Sequence, residues 1–212
     1  KRPPIFFCSR HLLAMHPALQ LVNAVALLSW SLLLLHAVAP AAGPFGGNAG
    51  LRADNARSLF LVLQGLMATE VVAITSSRKL SIGNLMQTML GVLICLFRIS
   101  CAILVVPFLE NALLQKVLLA GWSFSDTVRY SALLGKDVRF LQLLRRFCSA
   151  LLFLLVASAE IAACWTVLET VATTAKALLQ VQIIVTALGL PVGTMMFLKS
   201  AMKSKSKDSK EE

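Results

Sequence analysis

The sequence predicts an all-α protein, a polytopic membrane bundle of six transmembrane helices, and three observations carry that expectation. Apolar residues gather in long runs. Prolines and glycines fall mostly between the runs, and basic residues collect on one side of the spans that result. Of the 212 residues, 58% are hydrophobic and 14% charged, whereas a soluble domain carries about a quarter charged residues. Inside a bilayer each backbone N–H and C=O must be bonded within the protein, so such runs read as helices.

A span needs about 20 predominantly apolar residues. The first covers Ala18 to Ala39, closed by Pro40 and the Gly/Pro-rich loop Ala41 to Gly50. The second covers Ala56 to Thr75 and ends at Ser76, Ser77, Arg78 and Lys79. The third covers Ile82 to Val106, stopped by Pro107, which lacks a donor and cannot continue a helix. The fourth, Leu113 to Leu134, is the most polar and holds Lys116, Asp126 and Arg129. The fifth covers Phe140 to Leu168, and the sixth Ala177 to Leu198, with Pro191 and Gly193 near its end. The chain thus divides into a basic N-terminal segment (1–17), a membrane domain (18–200) and a polar C-terminal tail (201–212). Such a tail has too little apolar surface to order itself.

Six spans place both termini on one side of the membrane, and the charges agree. Of 20 Lys and Arg, only Arg52, Arg57, Lys116 and Lys176 lie on the far side, and Arg98 lies inside the third span. The rest lie with the termini, the asymmetry of the positive-inside rule. The net charge of +10 is accounted for in this way. No aromatic-interleaved basic patch offers itself to nucleic acid. The five cysteines are odd in number, mostly within apolar runs, and spaced for neither zinc nor a disulfide framework. They read as small buried side chains. The three histidines form no metal-binding set, and no cofactor is expected.

Ionisable groups at membrane depth are costly and often functional. Here they are Glu70, Arg98, Asp126, Arg129 and Glu160. Two readings stand side by side: Glu70 or Glu160 pairs with Arg98 or Arg129 and sets helix register, or the group carries chemistry. Glu160 lies in the apolar run Cys148 to Trp165 with no opposite charge within a helical turn. Its carboxyl stays charged only where a partner from another helix reaches it.

Asn23 followed by Trp30, Gln64 followed by Glu70, Trp122-Ser123-x-x-Asp126-x-x-Arg129-Tyr130, and Arg145 with Glu160 fifteen residues on occur in that order. The pattern resembles the 3-hydroxyacyl-CoA dehydratase family, also called protein-tyrosine-phosphatase-like A. The segment Leu190-Pro191-Val192-Gly193 followed by Met195 and Met196 is similar to the family's C-terminal helix. The likeness covers about Gln20 to Lys203. It implies a six-helix membrane enzyme of very-long-chain fatty acid elongation that removes water from a 3-hydroxyacyl thioester. In that family a tyrosine and a glutamate seven residues further on share the acid–base work. Two such groups must reach opposite ends of one C–C bond, and a spacing of seven sets them two turns apart on one helix face.

Glu160 matches the family's glutamate, but the tyrosine position is Phe153, which has no proton to exchange. The family's proline after that tyrosine is Leu154, its glycine is Val156, and its second tyrosine is Arg146. Ala73 stands for a histidine and Gly91 for an arginine. Tyr130, the sole tyrosine, matches a non-catalytic family position. The resemblance therefore implies a kept scaffold and a lost reaction, a pseudoenzyme.

Three functions follow as expectations. The first is an accessory or structural subunit of a larger membrane complex, a respiratory or ATP-synthase assembly, with membrane lipids and other subunits as partners. The second is an active dehydratase in which Glu160 works with Asp126 or Tyr130 from a neighbouring helix. The third is a lipid- or acyl-binding protein that keeps the cavity. A transporter is disfavoured, because neither an internal repeat nor a pair of broken helices is evident. Lys1, Arg2 and Arg10 precede the first span and the first acidic residue is Asp54. That suits a mitochondrial import remnant or simple positive-inside flanking. The ending Ser209-Lys210-Glu211-Glu212 lacks paired lysines of the kind that return proteins to the endoplasmic reticulum. The mitochondrial inner membrane is thus the expected location, with the endoplasmic reticulum as the alternative.

Overall fold

The computed structural model describes residues 17–39, 54–76, 82–135 and 138–208. All of its regular elements among these residues are helical. They are α1 (Pro17–Val38), α2 (Asp54–Ser76), α3 (Ile82–Ser100), α4 (Ala112–Leu134), α5 (Arg139–Val167) and α6 (Thr173–Asp208). Each overlaps one of the six expected spans. The basic segment before Pro17, the loop 41–50, Arg78, Lys79 and Lys136 lie outside the described residues.

α1 begins at Pro17, whose fixed φ suits a first helical position where its missing N–H has no role. It is apolar on all sides. Ala26, Trp30, Leu33 and Ala37 recur at helical spacing and are buried, while Leu21, Val25, Leu28 and Leu35 stay exposed. A helix that is hydrophobic all round belongs in a core or in lipid. The same holds across the molecule, where Val62, Leu113, Phe147 and Leu188 stand out from the surface. Such an apolar exterior is far larger than soluble monomers carry.

Four described stretches are long and apolar enough to cross a membrane: Gln20–Val38, Asn55–Ala73, Gly91–Phe108 and Thr173–Pro191. They are compatible with an integral membrane protein. α5 holds a shorter apolar stretch, Leu151–Val167. α4, which carries Lys116, Asp126 and Arg129, is not among the four.

The third segment differs from the uninterrupted helix that the sequence predicts. After Ser100 the chain widens into a π turn over Cys101–Val105, then tightens into a 3₁₀ turn over Val106–Phe108. Val106 donates to the Cys101 carbonyl, five residues back. Pro107 explains the change: it has no N–H to give, and its ring crowds the carbonyl four residues before it, that of Ile103. The disturbance therefore starts before the proline rather than at it. The sixth helix runs through Pro191, as the expected span does, and continues beyond the expected end at Leu198 to Asp208.

α1 packs chiefly against α4, α2 against α3, and α5 lies between α4 and α6. The core centres on three rings. Trp30 meets Phe60 edge-on at 5.8 Å, and Phe60 meets Trp122 at 4.9 Å, which joins α1, α2 and α4. Asn111 starts α4 by accepting the Leu114 N–H at 3.1 Å. Gln115, one turn on, donates its amide to the Leu109 carbonyl.

Candidate functional site

The ionisable residues named from sequence form two clusters, both built on α4. Trp122 and Asp126 are four residues apart, so their side chains share one face of that helix. The Arg98 guanidinium from the end of α3 reaches Asp126, Nη1 to Oδ2 at 2.9 Å. Its Nε lies 4.0 Å from Oε1 of Glu160 on α5. The Trp122 indole donates its N–H to the same Glu160 oxygen at 2.5 Å. All four side chains are buried. This cluster ties α3, α4 and α5 together.

Gly121 allows the approach. A Cβ at that position would sit 2.5 Å from Cγ2 of Val156, so only a residue without a side chain brings α4 this near α5. Val156 is one turn before Glu160 on α5, and the neighbouring Trp122 is thereby set against the carboxyl. One turn beyond Glu160, Cys164 lies beside Cys101, the first residue of the π turn. Cys95, Cys101 and Cys164 are buried, as expected of small side chains in apolar runs, whereas Cys148 is half-buried. Cys8 lies outside the described residues.

The second cluster sits further along α4. Arg129 Nη2 bonds Oε2 of Glu70 at 3.1 Å, and the Tyr130 hydroxyl donates to the same oxygen at 3.0 Å. Phe60 and Trp122 meet at one level and Glu70 and Tyr130 at another, so α2 and α4 run parallel. Tyr130 is eight residues past Trp122, about 12 Å along the axis.

The register-setting reading of these charges is therefore realised in its geometry: Glu70 pairs with Arg129, and Arg98 pairs with Asp126 and approaches Glu160. The structure does not bring Tyr130 to Glu160. Asp126 is joined to Glu160 through Arg98. Phe153 lies half-buried two turns before Glu160 on the same helix.

This arrangement can hold a carboxyl but is poorly suited to passing a proton. The groups on Glu160 are an indole N–H, which only donates, and a guanidinium, which keeps its proton in proteins. The polar pair Asn23 and Gln64 is buried too. Oδ1 of Asn23 and both amide atoms of Gln64 have no protein partner, a cost of about 1–3 kcal/mol for each unpaired atom. A shallow apolar groove of about 330 Å³ runs between α2 and α3, lined by Ala68, Thr69, Val72, Ala73 and Val92. It is separate from Glu160. Among the described residues no group of three His, Cys, Asp or Glu is placed to hold a metal ion.

Sequence reasoning missed the indole donor to Glu160 and the link between α3 and α6. In that link the Ser100 hydroxyl donates to Oε1 of Gln182 at 2.5 Å, and Gln182 Nε2 donates to the Phe97 carbonyl at 3.1 Å. Gln182, one of two glutamines inside the last apolar run, was the available signal.

No family model matches the chain, and neither does any curated protein or solved structure.

Proposed function

We propose that this chain is a six-span integral membrane protein of dehydratase ancestry that no longer dehydrates, and that it serves as an accessory subunit of a larger membrane assembly. The observation that carries this reading is the state of Glu160. Its carboxyl is bound by Trp122 and approached by Arg98, and the helix position two turns earlier holds Phe153 rather than a proton carrier. Loss of one of two cooperating acid–base groups costs about 10²–10⁴-fold in rate. What remains is a set of inter-helix ties, which suits a structural role. The six-span arrangement is supported by six helices at the expected positions, including α4, whose charged residues pair with α2 and α3. The positive-inside asymmetry sets both termini on one face. The basic, acid-free stretch ahead of α1 favours the mitochondrial inner membrane.

Two measurements on one preparation test the proposal. Mild detergent extraction, native gel separation and mass spectrometry should find the chain in a band of high mass with other subunits. Purified protein should not turn over a 3-hydroxyacyl-CoA. Migration as the free chain removes the accessory role. Turnover abolished by Glu160→Gln restores the active dehydratase.

A further inference from the structure

Between the two charged clusters of α4 lies a second polar region that neither cluster uses. Phe60 sits beside Trp122, and Glu70 meets Tyr130. The parallel helices α2 and α4 run in step between those points, so Gln64 falls level with residues 124–126. Ser123 and Thr127 lie just below and above that level, one turn apart on one line of α4. The same line leads on to Tyr130, which faces α2.

Gln64 is fully buried, and neither polar atom of its amide has a hydrogen-bond partner among the described residues. The same holds for Ser123 Oγ, Thr127 Oγ1 and the indole Nε1 of Trp30, whose ring packs on Phe60 one turn before Gln64. Oδ1 of the buried Asn23 joins them. Six alternating spans run α1 opposite to α2, which carries Asn23 about 10 Å from Trp30 toward the Gln64 end. Only that last placement rests on the six-span reading.

A hydroxyl within a helix can turn to a carbonyl of its own preceding turn. The Gln64 amide and the Trp30 indole, both fully buried, have no such recourse. Buried polar groups in native proteins are paired either with protein or with ordered water. Donors and acceptors are mixed here: the indole only donates, the Asn23 oxygen only accepts, and the hydroxyls and the Gln64 amide do both. The charges on either side are already paired, Asp126 with Arg98 and Arg129 with Glu70. The occupant that these groups match is therefore small, neutral, and able both to donate and to accept. A buried water molecule, which makes about 2–4 hydrogen bonds, has that chemistry.

We propose that the interval between the two charged clusters is a buried water site, where water bridges the Gln64 amide to Ser123 and Thr127 on one side and to Trp30 and Asn23 on the other. The hydrated interval lies against both ion pairs and joins the two clusters into one polar network along α4.

The test is water-edited solid-state NMR on full-length protein in lipid vesicles, with isotope-labelled nitrogen in the Trp and Gln side chains. Magnetisation starts on water protons and is read at the Trp30 indole and the Gln64 amide, assigned with Trp30→Phe and Gln64→Leu. Both signals should grow with mixing time although both side chains are buried. In Gln64→Leu the transfer to Trp30 should fall to background, because the central partner of the water is gone. The melting temperature of Gln64→Leu should not rise, since a hydrated amide is already satisfied. No transfer to either group in wild type overturns the proposal. Transfer from lipid protons alone also overturns it and assigns the site to a lipid hydroxyl or headgroup. So does a Gln64→Leu protein that melts above wild type, the mark of an amide buried dry and unpaired. Should Gln64→Leu fail to fold, Ser123→Ala removes one bridging partner and should weaken transfer to Gln64; unchanged transfer overturns the bridge to α4.

Discussion

Replacing Trp122 by Phe isolates one hydrogen bond. The phenyl ring keeps the stacking with Phe60, now 4.9 Å between centroids, and removes the indole N–H that reaches Glu160 at 2.5 Å. Bonds to charged groups contribute about 1.5–3 kcal/mol in soluble proteins. Polar contacts between membrane helices average about 0.6 and reach about 1.7 kcal/mol. Both partners here are buried and the contact is short, so about 1–2 kcal/mol is expected. At about 2–4 °C per kcal/mol for a chain of this size, the midpoint in detergent should fall by about 2–8 °C. Loss of indole area adds to this figure, and a double-mutant cycle removes it. Glu160→Met takes away the acceptor while keeping volume, and Trp122→Phe/Glu160→Met takes away both ends. Thermal unfolding followed by near-ultraviolet circular dichroism should give a coupling of about 1–2 kcal/mol, because the second substitution no longer strands a buried partner. Additivity within about 0.5 kcal/mol, as expected for uncoupled sites, refutes the account of Glu160 given above.

The glycines offer a contrast of sign. Gly121→Ala forces a methyl against Val156 and should cost about 1–3 kcal/mol through overpacking, whereas Gly65, with open space around it, should gain about 0.5–1 kcal/mol as Ala from helix propensity. Melting curves of the two variants should move in opposite directions. Arg129→Ala removes a charge from Glu70 at a half-buried site and should destabilise by about 3 kcal/mol, the low end for breaking a buried pair. Adding Glu70→Leu should recover much of that loss, and an additive double variant would show that the two charges do not interact.

The course of the chain through six helices was legible in the sequence because helix formation in a long apolar run is a local matter. Twenty apolar residues bounded by Pro, Gly or charge leave the backbone no other way to bond its polar groups. Ala18–Ala39 and Pro17–Val38, or Leu113–Leu134 and Ala112–Leu134, therefore agree closely. Local rules were weaker where two effects compete. At Pro107 the sequence indicates a stop, while the helix yields several residues earlier by widening into a π turn. At 201–208 composition argues for a tail, while the helix continues.

Partnership was another matter. From sequence alone Glu70 and Glu160 could each have met Arg98 or Arg129, since all four fall within the expected spans and none pairs within its own helix. Tertiary structure decided it through the parallel run of α2 beside α4, which brings Glu70 to Arg129, and the close approach of α4 and α5 at Gly121, which brings Trp122 to Glu160. The helices follow from the solvation of the backbone, residue by residue. The pairing follows from which helices touch and at what height, a property of the packed bundle and of no single segment.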